Sequence, residues 1–433
     1  MKKIIAICLA ALMAAACKRS YPGLYAPIVD PDNPNPEVTV DRIPITVSLT
    51  DPAYALVTGA ATRGNGPFGF WENEEDRRHW LEAEFGIYAF LTRNHVYDGP
   101  SNLAATEADG GDAVPVCLVD DRKAHISPAC ELVWDDAEPP YYSAAWPEHK
   151  YNFFLYHIGD AAEYAPEERT QARIVKHIQV DGTQDVLSAY ARPDTEDAER
   201  LGDTDDAKYL MNHAGDLVYS TMSARQYIEP HFRVSHEMAR VEFSVRKPLD
   251  EDLGTGREVR IMAVGMVVPV RGEFTVAADW AGVSGDWNDE ANRPALGVEW
   301  SAAEADMDTL FIPTDDTPET FGSTYVKENA LFSPEVAVSD AEPGPTALGR
   351  TLLVPAVERV KFCLFYRYMT SHGDEAQLNG ALFESGTEME VNFQPGHRHE
   401  VVLYVYGPKR IAIEVDGAGL AWIDGGDIEV DGR

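Results

Sequence analysis

Arg42-Ile43-Pro44-Ile45-Thr46-Val47-Ser48-Leu49-Thr50 alternates apolar and polar residues along its length. Successive side chains of a strand point to opposite faces, so Ile43, Ile45, Val47 and Leu49 share one face and the segment is expected as a half-buried strand. Pro44 falls on the other face and has no N–H for a ladder, which marks an edge or first strand that pairs on a single side. Thr50-Asp51-Pro52-Ala53 then reads as a turn, and Ala60-Ala61-Thr62-Arg63-Gly64-Asn65-Gly66-Pro67 as a glycine-rich loop with one basic residue, the kind of loop that trypsin-like proteases cut. The fold expected is one whose first strand can be taken away.

Upstream, Lys2 and Lys3 form a basic start, Ile4 to Met13 an apolar run, and Ala14-Ala15-Ala16 a small-residue site directly before Cys17. This is the layout of a bacterial lipoprotein signal over residues 1–17, except that Ala14 stands where leucine is usual and Leu12 lies further back. An ordinary secretory signal cut nearby is the alternative. The apolar run is too short to span a bilayer, and no later run reaches the ~20 residues a spanning helix needs. Acyl chains on Cys17 would hold at ~0.8 kcal/mol per buried methylene. Residues 18–36, with Pro22, Pro27, Pro31, Pro34 and Pro36 among Asn and Asp, read as an extended linker.

Lys+Arg 36 against Asp+Glu 72 gives a formal net charge of -36. Such a chain repels nucleic acid and anionic surfaces, so it reaches a membrane by covalent attachment rather than by surface charge. An exported chain can form disulfides, and Cys117 and Cys130 flank a loop with Ser127-Pro128 that a bridge could stabilise by roughly 3 kcal/mol. Cys363, inside Phe362-Cys363-Leu364-Phe365, reads as a buried thiol.

Downstream, residues 72–84 are charged and suit a short helix, and Phe85-Gly86-Ile87-Tyr88-Ala89-Phe90-Leu91 reads as a central buried strand. Strand signals follow at 114–119, 131–134, 151–157, 186–190 and 216–219, with an acidic loop over 194–206. A new set of alternating strands begins at His231 and runs through 257–270, 272–277, 351–355, 360–369, 389–393, 400–406 and 410–415, with residues 284–308 as an acidic, tryptophan-bearing insertion. Short strands, few helical periods and frequent turns give an all-β chain of two β-sandwiches, over 37–230 and 231–433. At 433 residues, two cores are expected.

Catalytic constellations are scarce. His236-Glu237-Met238-Ala239-Arg240 approaches a zinc-protease motif, but Arg240 replaces the second histidine and the segment alternates like a strand. His397 and His399 would share a strand face but need a third ligand, and Asp286, Asn288 and Glu290 lack the glycine and terminal glutamate of a calcium loop, so neither a metal nor a cofactor is expected. Neither a nucleophile elbow nor a phosphate loop is present. Trp71, Trp80, Trp134, Trp146, Trp280, Trp287 and Trp300 could stack on sugars, although core and loop anchoring suits most of them.

The signal ending at Cys17, the strand Ile43 to Leu49 followed by Thr62-Arg63-Gly64, the core strand at 85–90, Tyr151-Asn152-Phe153-Phe154, Gly215-Asp216-Leu217-Val218-Tyr219, His236 to Val241, and the ending from Phe393-Gln394-Pro395-Gly396-His397-Arg398-His399 to Val430 come in an order that resembles the fimbrillins. These are lipoprotein-derived subunits and accessory proteins of type V pili in Bacteroidia. The resemblance implies two Greek-key, transthyretin-like sandwiches and no enzymatic activity. It implies lipidation at Cys17, transport to the outer membrane, cleavage after Arg63, and loss of the strand carrying Ile43, Ile45, Val47 and Leu49, whose groove takes a strand from another pilus subunit. Under it the donor is expected within residues 421–430. An uncut, lipid-anchored accessory subunit is an alternative within the resemblance, and a surface lipoprotein binding host glycans or proteins is one outside it.

Overall fold

The computed structural model describes residues 42–49, 74–91, 102–107, 116–128, 131–143, 149–192, 219–225, 228–248, 258–279, 295–312, 336–339, 345–369, 383–384, 389–407, 410–415 and 419–424. Among them nearly everything regular is β-strand, apart from the helices Glu74–Glu82 and Thr221–Arg225 and a 3-10 turn at Glu304–Asp306. The chain is all-β, as its alternation and turn spacing require.

The first sandwich is built on a sheet ordered Ser48–Leu49, His231–Phe232, Leu187–Arg192, Tyr151–His157, Glu84–Leu91, Cys117–Ile126, Leu132–Trp134, with Ser235–His236 added beside Leu187–Arg192. Glu84–Leu91 and Tyr151–His157 lie at its centre, paired from Gly86↔Tyr156 to Leu91↔Tyr151. Their apolar residues run on without alternation because both faces are covered. One face packs Phe85, Ile87, Phe153 and Leu155 with Ile43, Ile45, Val47 and Trp80. The other packs Tyr88, Phe90, Phe154 and Tyr156 against Ile174, Ile178 and Phe274.

Those last residues belong to a sheet the sequence did not announce. Its order is Gly297–Trp300, Arg271–Ala278, Arg173–Gln179, Ala162–Arg169, and its central pair runs from Arg271↔Gln179 to Ala278↔Arg173. Half of this layer comes from each expected domain, so it braces the two together. The boundary expected at 230/231 also shifts: His231–Phe232 and Ser235–His236 still pair into the first sheet, Glu237 N–H donates to Val186 O at 2.8 Å, and the second sandwich starts at Met238. Likewise the supposed insertion at 284–308 contains the strand Gly297–Trp300 and the start of Met307–Phe311.

In the second sandwich, one sheet is ordered Thr346–Pro355, Met238–Arg246, Arg398–Gly407, Arg410–Val415, Gly419–Asp424. It faces a sheet centred on Glu258–Pro269 and Val357–Met369, and between them lie Val241, Phe243, Ile261, Met266, Leu352, Phe362, Leu403, Ile411 and Ile413. Cys363 is buried in this half.

Candidate functional site

The alternation of residues 42–49 places Ile43, Ile45 and Val47 in the first core, at 4%, 1% and 0% exposure, with Leu49 half-buried against it. The backbone, however, divides its pairing by parity. Odd positions face one flank: Ile43 pairs with Tyr142, Ile45 N–H donates to Pro140 O at 2.8 Å, and Val47 bridges Leu132. Even positions face the other: Ser48 N–H donates to Pro230 O at 3.0 Å, and Ser48 and Leu49 pair in parallel with His231 and Phe232.

Leu132–Trp134 and His231–Phe232 lie toward opposite ends of the first sheet, so the segment joins the ends and closes the sheet on itself. This corrects the expectation of one clean strand pairing on a single side: there are two short pieces, Arg42–Pro44 and Ser48–Leu49, paired on opposite flanks. Pro44 is tolerated because its missing N–H points to the flank whose partner strand begins only opposite Ser48.

Two side chains secure the segment. Trp134 Nε1 donates to Ile45 O at 2.8 Å, and Ser48 Oγ and His231 Nδ1 share a hydrogen bond of 2.5 Å. Beneath it lies an aromatic floor, with the Tyr142 ring 6.3 Å from Tyr151 and 6.2 Å from Phe153, and Phe153 edge-on to Tyr219 at 5.8 Å. One end of the floor is electrostatically costly. Lys150 is fully buried, its Nζ has no hydrogen-bond partner among the described residues, and desolvation pushes it down to about 8.

On the opposite face of the first sheet, a cleft of about 770 Å³ opens toward the bracing sheet, lined by Asp121, Lys123, Tyr156, Lys176 and Gln184 among others. Its polar groups satisfy one another. Asp121 accepts from Tyr156 Oη at 2.5 Å and from Lys123 Nζ at 3.0 Å, while Glu167 accepts from Lys176 Nζ at 2.8 Å and from Tyr88 Oη at 2.7 Å. Burial alone would raise Glu167, but hydrogen bonds from Lys176, Tyr88 and Arg169 hold it below the usual carboxylate range. Burial first, and the Asp121 and Glu167 charges second, push both tyrosines far up. Gly86 admits the Tyr156 ring, since a Cβ there would sit 2.1 Å from it. The charged run at 120–123, which looked like the end of a strand at 119, is therefore the middle of Cys117–Ile126: Asp120, Asp121 and Lys123 serve this seam, while Arg122 pairs with Asp136 at 2.9 Å. At the junction of the sandwiches, His236 Nδ1 is 2.9 Å from Asp185 Oδ2; burial opposes its charge, but Asp185 raises it overall.

Cys17 and Arg63 lie outside the described residues. The Cys117–Cys130 bridge does not suit this sheet. Cys117 is buried opposite Phe90, whereas Ser127 and Glu131, which flank Cys130 in the chain, are hydrogen-bonded beyond the strand's other end, past the His125↔Glu84 pair. Six strand residues separate Phe90 from Glu84, roughly 20 Å, against the ~5.5 Å Cα separation a disulfide takes. Cys130 itself lies outside the described residues. His236 and Met238–Arg246 are strand, as the alternation required. His397 Nδ1 lies 2.9 Å from Pro395 O, and His399 Nε2 accepts from Gln394 N–H at 3.3 Å, so both serve their own turn. Among the described residues no cluster of metal-ligating side chains forms. Trp80 is core, Trp134 grips the first segment, and Trp300, at the end of an edge strand of the bracing sheet, is half-buried against the core beneath it.

No family model and no curated protein matches the chain. Solved structures similar to it include a candidate cell adhesion protein from Bacteroides uniformis, at 10% identity and TM-score 0.36 over 89% of this chain and 98% of that one. Another is from Bacteroides ovatus, at 11% and 0.36 over 90% and 98%. The fimbrial anchor protein Mfa2 from Porphyromonas gingivalis is similar at 10% and 0.25 over 78% and 90%. Likeness of this degree bears no weight for what the chain does; the closure of the first sheet does.

Proposed function

We propose that the chain is a non-enzymatic structural or adhesive subunit of a cell-surface fimbria, of the fimbrillin kind. It is exported as a lipoprotein on Cys17, displayed at the outer membrane, cut after Arg63 and joined to other subunits by strand exchange. The observation that carries this is the closure of the first sheet by residues 42–49. Their three fully buried side chains contribute roughly 4 to 9 kcal/mol, comparable to the whole stability of a domain. Yet few ladder positions hold the segment, and a glycine-rich stretch with one basic residue, Arg63, follows it in the sequence. Once cut loose it would leave an apolar groove with unpaired backbone on both flanks, which a strand of like alternation can refill.

N-terminal sequencing of protein from sheared surface fibres tests the proposal. A start at Gly64 is expected, and an intact lipidated N-terminus in the fibre would show instead an uncut anchor or accessory subunit. Arg63→Ala should leave the precursor folded and abolish its incorporation; normal fibres from that variant would remove Arg63 as the maturation site.

A further inference from the structure

Side chains between packed sheets fill their space to the density of a crystal, yet the first sheet and the bracing sheet leave a cleft of about 770 Å³, a size usual for small-molecule sites. Its wall is polar where an apolar seam would cost less to bury: Lys176, Gln184 and Asp185 line it at 4%, 5% and 3% exposure. We infer that this cleft is a binding site for a neutral saccharide, whose adjacent hydroxyls are taken by Asp121 and Lys123. The site uses none of the tryptophans, and it stands whether or not residues 42–49 leave their groove.

The backbone aims Asp121 at the cleft. Ile87 pairs with Arg122 and Ala89 with Val119, so Asp120 and Asp121 together oppose Tyr88 in a bulge. Asp121 takes up the extra residue in the left-handed region, at φ 48°, the one non-glycine residue with positive φ among those described. Strain of this kind, of order 1 kcal/mol, persists only where the surroundings hold it, and it collects at ligand sites.

The hydrogen bonds of the cleft leave two valences open side by side. Asp121 Oδ1 accepts from Tyr156 Oη at 2.5 Å and from Lys123 Nζ at 3.0 Å, while among the described residues Oδ2 meets only the Lys176 ammonium, at 3.5 Å. A carboxylate offers about four acceptor positions, so Oδ2 has room for another donor. Lys123 spends two of its three protons, on Asp121 and on Tyr156 Oη at 2.8 Å, and its half-exposed head keeps one. An acceptor beside a donor is what a vicinal diol completes: one hydroxyl donates to Asp121 Oδ2, and its neighbour accepts from Lys123 Nζ. Both ammonium groups already cover the Tyr156 ring, at 5.0 and 5.1 Å from its centre, so the sugar is held by hydrogen bonds rather than by stacking. The rim sets the charge of the ligand. Glu82, Glu84, Asp160 and Glu163 stand exposed around the mouth against the single half-exposed Lys123, so sialylated and sulfated sugars are repelled. A simple cation would suit the rim but would leave the Lys123 donor without an acceptor.

The test presents the full chain to an array of neutral, sialylated and sulfated oligosaccharides. Binding to neutral members alone is expected, and periodate oxidation of those members, which cleaves vicinal diols, should abolish it. Affinity for a bound member should fall at least about tenfold in Asp121→Asn, which keeps a residue that tolerates the left-handed region, and in Lys123→Met, as loss of a hydrogen bond to a charged group requires. Thermal unfolding shows that each variant is folded, and the half-exposed Lys123 decides the matter if Asp121→Asn is not. Neutralising the rim with Glu82→Gln, Glu84→Gln and Glu163→Gln together should admit acidic members, and their continued rejection overturns the role of the rim. Silence across the neutral members, binding that survives periodate, or unchanged affinity in folded Lys123→Met overturns the site. None of these outcomes bears on fibre assembly, which is tested separately at Arg63.

Discussion

Residues 42–49 and Met238–Arg246 occupy equivalent positions. Each is the first strand of its sandwich, antiparallel to a neighbour on one flank and parallel to its sandwich's later strand on the other. They differ in how firmly they are held. Met238–Arg246 has seven registered pairs on each flank, whereas the first segment has three on one and two on the other, with a single bridge to Leu132. Side-chain burial is similar, with Val241 and Val47 both at 0%. The first segment is held chiefly by apolar contact, whereas Met238–Arg246 is held by apolar contact and a continuous ladder on both flanks. The same topology thus yields a sparsely laddered first strand in one sandwich and a fully laddered one in the other.

The largest expected effect is in hydrogen exchange. In the uncut chain, the paired amides of residues 42–49 should exchange roughly a thousandfold faster than those of 238–246, a difference of about 4 kcal/mol in opening free energy. Equal protection would erase the contrast. Next comes Lys150, whose buried ammonium, without a hydrogen-bond partner among the described residues, weakens the first sandwich. Its folded pKa of about 8 lies below its ordinary 10.5, so below pH 8 both states are protonated and the folded state bears the full desolvation cost. Between these values the unfolded state binds more protons, and stability rises with pH. Lys150→Met should therefore stabilise the first sandwich by about 3 kcal/mol below pH 8 and remove that rise, as read by denaturant unfolding at pH 7 and pH 10. An unchanged midpoint at pH 7 would mean that the amine is solvated. The smallest effect is Trp134→Phe, which removes the hydrogen bond to Ile45 O and should cost about 1 kcal/mol, seen as faster exchange in 42–49 with none in 238–246.

Much of this could be read from residues alone. The alternation of Ile43, Ile45 and Val47, the two-sided burial of 85–91 and the helix at Glu74–Glu82 follow from period and composition. The bracing sheet does not. Ala162–Arg169 carries Pro166 and a run of glutamates on a strand largely exposed along its length, so it lacks the apolar alternation that announces a strand, and it forms only because Arg173–Gln179 is there to pair with it. Its proline and charges also keep that sheet edge from adding further chains. The parity of the first segment was equally hidden. Alternation tells which side chains are buried, but which flank each N–H serves depends on Pro140 and Pro230, far off in sequence.

The bracing sheet has a mechanical consequence. Under the proposed function, a subunit pulled through its first sandwich at one end and its second at the other would transmit tension across the junction between the sandwiches. There the Arg173–Gln179 and Arg271–Ala278 ladder ties one sandwich to the other in parallel with the covalent link through Glu237. The two sandwiches would then stretch as one stiff body rather than as beads on a hinge, and the chain would lengthen under load only after that ladder had been stripped.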